Sequence, residues 1–108
     1  MSSFIRRRVR TNRRRDEYYT MYAKTQRWFV YILECADETY YTGITTNLER
    51  RLNEHNTSNK KGAKYTRHRR PVKIVAIKEV QSRSEALKIE AAVKRKPRLK
   101  KINYLKSL

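Results

Sequence analysis

Residues Phe29 to His55 read FVYILECADETYYTGITTNLERRLNEH, and this stretch decides the fold. Trp28-Phe29-Val30-Tyr31-Ile32-Leu33 is a run of β-branched and aromatic residues, which predicts a strand. The polar break Ala36-Asp37-Glu38 suits a hairpin turn. A second short strand is predicted over Thr39-Tyr40-Tyr41-Thr42, stopping at Gly43. Thr46-Asn47-Leu48-Glu49 then has the form of a capping box with Thr46 as the cap, opening a helix to about Asn56. Leu48 and Leu52 give that helix an apolar stripe, while Arg51 and His55, also one turn apart, stack on another. Two strand tyrosines thus stand close in sequence to a helix carrying an Arg and a His in register.

These residues resemble the GIY-YIG nuclease superfamily, named for tripeptides on neighbouring strands. The first tripeptide reads Phe29-Val30-Tyr31 here and the second Tyr41-Thr42-Gly43. The departures are Phe29 for the first Gly and Thr42 for the middle Ile. The family's helix Arg falls on Arg51 and its His-or-Tyr position on His55. Glu85-Ala86-Leu87-Lys88-Ile89-Glu90 resembles the family's second helix, whose last Glu holds the metal. The family's Asn after that Glu has no counterpart in register; Asn103 is one residue out. The resemblance runs from about Trp28 to Lys96. It is nearest to the small single-domain branch and to the catalytic domain of structure-selective junction nucleases, to which Gly62-Ala63-Lys64-Tyr65-Thr66-Arg67 and Arg70-Pro71 are also similar. It implies a metal-dependent endonuclease hydrolysing DNA phosphodiesters, of the kind used in DNA repair or recombination. Tyr31, Tyr41, Arg51, His55 and Glu90 would be its catalytic residues, with Glu90 holding Mg²⁺ or another divalent cation such as Mn²⁺. One tyrosine, Tyr41 as first choice, would be the general base.

Charge points the same way independently. The chain of 108 residues carries 28 Lys and Arg against 10 Asp and Glu, a net charge of +18. Such an excess repels itself in a compact fold, so a polyanion is the natural partner. No stretch is apolar enough to span a bilayer, and neither helix pairs a basic face with a broad Trp/Phe/Leu face, so nucleic acid is preferred over a membrane. No small-molecule cofactor beyond the metal is implied. Cys35 is the single cysteine, which excludes an internal disulfide and, with no apolar leader-like segment, suits a reducing cytoplasmic interior. Cys35, His55 and His68 also lack the spacing of a zinc site.

The chain divides into a basic arm, residues 1–27, and one domain, residues 28–108. The arm holds nine Lys or Arg and two acidic residues, with dense runs at Arg6-Arg7-Arg8 and Arg13-Arg14-Arg15. Such runs stay flexible until they meet phosphate. Between the first helix and the next strand, residues 57–70 read as a polar connection. Its Lys60, Lys61, Lys64, Tyr65, Arg67, Arg69 and Arg70 interleave cations with an aromatic, the composition of a nucleic-acid-binding loop. Val72 to Val80 is apolar and β-branched enough to predict a strand covered on both faces. Ser82-Arg83-Ser84-Glu85 is a second capping box, opening a helix that Pro97 must end by about Lys96. Glu90 sits at the edge of its apolar stripe. A short basic helix over Arg98 to Leu105 completes the chain. The expectation is an α+β (α/β mixed) fold, a small three-stranded antiparallel sheet packed by helices. A non-catalytic nucleic-acid-binding module of the same fold and a basic RNA-packaging protein are the alternatives.

Overall fold

A computed structural model describes residues 27–108. The basic arm read from the sequence lies outside them, apart from Arg27. The elements run β1 (Trp28–Glu34), β2 (Tyr40–Thr45), α1 (Leu48–Thr57), α2 (Lys64–Arg67), β3 (Lys73–Val80), α3 (Arg83–Lys94) and α4 (Arg98–Lys106). The three strands form one antiparallel sheet in the order β2-β1-β3. This is the α+β architecture that the sequence predicts.

The pleat of β1 sends alternate side chains to opposite faces, and each face has its own cover. Val30 and Ile32 pack with Ala76 and Val80 of β3, Ala86 and Val93 of α3, and Leu105 of α4. Tyr31 and Leu33 face the other way, against Cys35, Val72, Tyr41, and Leu48 and Leu52 of α1. Ile32 and Leu33 are both completely buried, each contributing about 1.5–3 kcal/mol relative to exposure. A bulge in β3 lets both faces match: Ile32 pairs with Ala76, but Leu33 pairs with Ile74. Tyr40 and Tyr41 separate as the pleat requires, Tyr40 to the α3–α4 side and Tyr41 to the α1 side.

The β1–β2 turn is built as the polar break predicts. Cys35 N donates to Thr39 O at 2.8 Å, and the Asp37 carboxylate accepts from the Thr39 hydroxyl at 2.6 Å. Glu38 takes the left-handed φ of 67° there.

Four features differ from expectation. β2 does not stop at Gly43 but continues through it to Thr45, because Gly43 stays in the ladder opposite Tyr31. The α1 cap is Asn47, not Thr46: its side chain accepts from Arg50 N at 3.0 Å. Asn is among the best caps, and Thr45 Oγ1 prepares it by accepting the Asn47 amide at 3.1 Å. The connection after α1 contains the single helical turn α2. β3 is an edge strand rather than a strand covered on both faces, with Ile77 45% exposed. Ser82 caps α3 as predicted, its Oγ accepting from Glu85 N at 3.1 Å, but the Glu85 carboxylate reaches back to Gln81 N at 3.1 Å rather than to the Ser82 amide. Cys35, at the end of β1, is buried and free. No helix among the described residues is long and apolar enough to cross a membrane.

Candidate active site

The face of the sheet covered by α1 carries the candidate site. Tyr31, at the centre of β1, is 2% exposed, and its Cα partner on β2 is Gly43. The phenol ring lies across that glycine: a Cβ on Gly43 would collide with the Tyr31 hydroxyl and stand 2.6 Å from its Cζ. The second tripeptide thus needs Gly for the close approach of a ring, not for a turn. Tyr41, two residues earlier on the same face, is half-buried and opens towards solvent.

His55 stands near the end of α1 with no exposed surface. Its Nε2 is 2.9 Å from the Tyr31 hydroxyl, and its Nδ1 is 3.0 Å from the Thr66 hydroxyl of α2. The imidazole meets both tyrosines edge-on, with centroids 5.9 Å from Tyr31 and 5.2 Å from Tyr41. Arg51, one turn earlier, donates through NH1 to Glu54 Oε1 at 3.0 Å and to the Lys61 carbonyl at 2.6 Å. These two bonds fix the plane of its guanidinium while 25% of the side chain stays exposed. Glu54 is held ionised by Arg51, which lowers its pKa against the opposing effect of burial.

Burial governs the protonation of this cluster. It pushes the Tyr31 phenol up to about 12, with the charges of Tyr41 and Glu90 adding and the neighbouring Arg51 opposing. It pushes His55 down to about 4, assisted by the positive charges of Arg51 and Arg70 and opposed by Glu54. At neutral pH both groups are neutral. The charge of Glu90, on α3, adds only the last of the influences that raise the Tyr31 pKa, since α3 packs on the opposite side of the sheet from Tyr31. The Glu90 side chain is 19% exposed, and Oε2 lies 3.4 Å from Lys94 Nζ. The structure therefore gathers Tyr31, Tyr41, Arg51 and His55 on one face, and leaves Glu90 in the helix layer of the other, paired with Lys94.

The basic segment divides into two groups. Lys60, Lys61, Lys64 and Tyr65 are exposed. Arg69 and Arg70 are half-buried and bonded within the protein. Arg69 pairs with Asp37 at 3.0 Å and covers the Tyr65 ring at 4.0 Å, while Tyr65 stacks against Tyr41 at 6.0 Å. Arg70 closes the end of α1, donating to His55 O at 2.7 Å, Ser58 O at 3.0 Å and Asn59 Oδ1 at 3.0 Å. Arg67 is also half-buried. Thr66, fully buried beside His55, was not among the residues singled out from the sequence. Its segment carried a family-like signal, but a buried contact between two helices has no spacing rule to reveal it.

The sheet thus sets two tyrosines beside an Arg and a His of one helix, on the face that α1 covers. The GIY-YIG catalytic domain family model matches residues 27–103, and the chain belongs to that family. Membership makes nucleic acid its substrate class in general. A UPF0213 protein of Syntrophus aciditrophicus is 55% identical over 78 residues, covering 72% of this chain and 88% of the relative. A UPF0213 protein of Streptococcus agalactiae is 51% identical over the same length, covering 72% of this chain and 86% of its own. The solution structure of a protein from E. faecalis is 45% identical, covers 79% of this chain and 88% of that one, and superposes with a TM-score of 0.55.

Proposed function

We propose that this chain is a metal-dependent DNA endonuclease that hydrolyses phosphodiester bonds, with branched or junction DNA as the preferred form. The observation that carries the reading is the convergence of Tyr31, Tyr41, Arg51 and His55 on one face of the sheet, where the imidazole meets both tyrosines.

Hydrolysis requires water to attack phosphorus while one bridging P–O bond breaks and the departing alkoxide takes a proton. Tyr41, half-buried beside His55, acts as the phenolate and takes the proton of the attacking water, while solvent water supplies a proton to the departing alkoxide. Tyr31 stays protonated because burial holds its pKa at about 12, and it orients water or phosphate as a donor. Arg51 neutralises the non-bridging oxygens with its planar fork, pre-set by Glu54 and the Lys61 carbonyl. Exposed Lys60, Lys61 and Lys64, with the N-terminal arm, grip the backbone without reading sequence.

The donor set suits a hard divalent cation. Among the described residues no group of three or more His, Cys, Asp and Glu could cage a metal. A lone carboxylate at Glu90 matches the habit of Mg²⁺ or Mn²⁺ in phosphoryl chemistry, where one or two carboxylates share the ion with waters and phosphate. Such an ion held by Glu90 would polarise a phosphoryl oxygen and acidify a bound water.

The Glu90–Lys94 pair favours a second reading, a binding module in which Glu90 is only a salt-bridge partner. Glu90→Gln and Glu90→Ala separate the two. In the enzyme both stay folded, keep DNA affinity and lose Mg²⁺-dependent cleavage of flap and junction DNA by orders of magnitude. Folded Glu90→Ala protein that cleaves as well as wild type would refute the metal assignment.

A further inference from the structure

Thr66 has no surface exposure, and its hydroxyl stands between two partners: His55 Nδ1 at 3.0 Å and the Ala63 carbonyl at 3.0 Å. A hydroxyl has one proton, so it can donate to only one of them. The Ala63 carbonyl is already supplied, since it accepts the backbone N–H of Thr66 at 3.2 Å and of Arg67 at 3.2 Å. His55 Nδ1 has a further neighbour, the Ala63 N–H at 3.4 Å. A backbone N–H can only donate. A proton on Nδ1 would face it head-on, so Nδ1 must present its lone pair. The neutral ring then carries its proton on Nε2, which lies 2.9 Å from the Tyr31 oxygen.

We propose that Thr66 is a positioning residue: together with the Ala63 amide it holds His55 as the Nε2–H tautomer and so turns the imidazole into a donor aimed at the Tyr31 hydroxyl. Hydrogen bonds then run in one direction, from the Thr66 O–H to His55 Nδ1 and from His55 Nε2–H to Tyr31 Oη. With that oxygen accepting from His55, the phenolic proton of Tyr31 is left to point at substrate or water. His55 therefore does not act as the base, and burial, which keeps it neutral down to about pH 4, preserves a single ring proton at physiological pH. Outer partners of this kind are worth about 10–100-fold in metal sites, where they fix the tautomer of a ligating His in the same way. The tautomer assignment stands on the geometry alone. Only its catalytic consequence rests on the endonuclease reading.

The test uses the full chain, ¹⁵N-labelled, without DNA or metal, at neutral pH. Long-range ¹H–¹⁵N correlation reads the ring nitrogens of both histidines, and a His68→Gln spectrum assigns them. The expected result for His55 is a pyridine-type Nδ1 and a pyrrole-type Nε2. The reverse pattern overturns the proposal without any variant being needed. Thr66→Val keeps the side-chain shape and removes the hydroxyl. It is expected to move both nitrogens towards averaged shifts and to lower cleavage at least tenfold at unchanged DNA affinity, with Thr66→Ser restoring both. An unmoved His55 spectrum in folded Thr66→Val refutes the role of Thr66. If Thr66→Val does not fold, Thr66→Ser decides, because loss of the Nε2–H pattern with the hydroxyl present also refutes it. A wild-type protein with the expected spectrum but no cleavage overturns the endonuclease reading and leaves the tautomer assignment standing.

Discussion

Gly43→Ala tests how the site is assembled, because the sign of its effect is diagnostic. In an ordinary strand, replacing Gly by Ala is expected to stabilise by about 0.5–1 kcal/mol, since the unfolded chain loses freedom. Here the added Cβ would stand 2.6 Å from Tyr31 Cζ and closer still to its hydroxyl. The far end of a side chain usually gives way cheaply, but this one is 2% exposed and bonded to His55 at 2.9 Å. Overpacking of this kind costs about 1–3 kcal/mol. Displacing the phenol also breaks its hydrogen bond to a buried imidazole, worth about 0.5–1.5 kcal/mol. The net expectation is a destabilisation of about 1–4 kcal/mol, read by urea denaturation with an unchanged slope. The double variant Gly43→Ala/Tyr31→Phe removes the colliding oxygen and should recover part of the loss relative to additivity, while staying inactive. A Gly43→Ala protein as stable as wild type, or more so, would refute the claim that the glycine exists to seat the Tyr31 ring.

Stability should fall with acid through His55. Its folded pKa of about 4 lies below the ordinary value of 6.5, so between these limits the unfolded chain binds the extra proton. Stability is complete above about pH 6.5 and is lost progressively as pH falls towards 4, by about 3 kcal/mol at most; His55→Gln should flatten that part of the pH profile of the melting temperature, and an unchanged profile would refute the linkage. Arg51→Ala should abolish most turnover with little change in binding, and Arg51→Lys should restore it only partly because a point charge lacks the fork. Arg50→Ala is the control, its side chain being 58% exposed and paired with Glu54 only at 3.7 Å; equal losses at the two positions would defeat the assignment of Arg51. Deleting residues 1–27 removes nine cations, and for every phosphate that the arm neutralises on duplex DNA the slope of log K against log salt should become shallower by about 0.9. An unchanged slope would mean that the arm does not touch phosphate.

Local rules were enough to read much of this chain. The pattern of β-branched residues, the polar break and the second Ser–Glu capping box place the hairpin, the third strand and α3, because strand alternation and helix capping are decided within a few residues. The tripeptides, with Arg51, His55 and Glu90 after them, likewise carried the resemblance to the GIY-YIG family before any packing was known. Where two local signals competed, the sequence reading slipped. Thr46 and Asn47 both satisfy a cap, and Asn47 prevails because the Thr45 hydroxyl holds its amide. Gly43 reads from the sequence as a strand end, and only the register opposite Tyr31 shows it to be the seat of a ring. Whether a cation faces a ligand or the protein's own backbone was likewise beyond sequence. Lys60 and Lys64 stay exposed, whereas Arg70 in the same basic run is committed to the end of α1. The direction of hydrogen bonding through His55 depends on an amide and a hydroxyl from beyond α1, so no pattern of neighbours along the chain encodes it. Periodicity and capping are properties of adjacent residues and survive in one dimension, whereas close approach, burial and donor direction exist only once α1, α2 and the sheet have met.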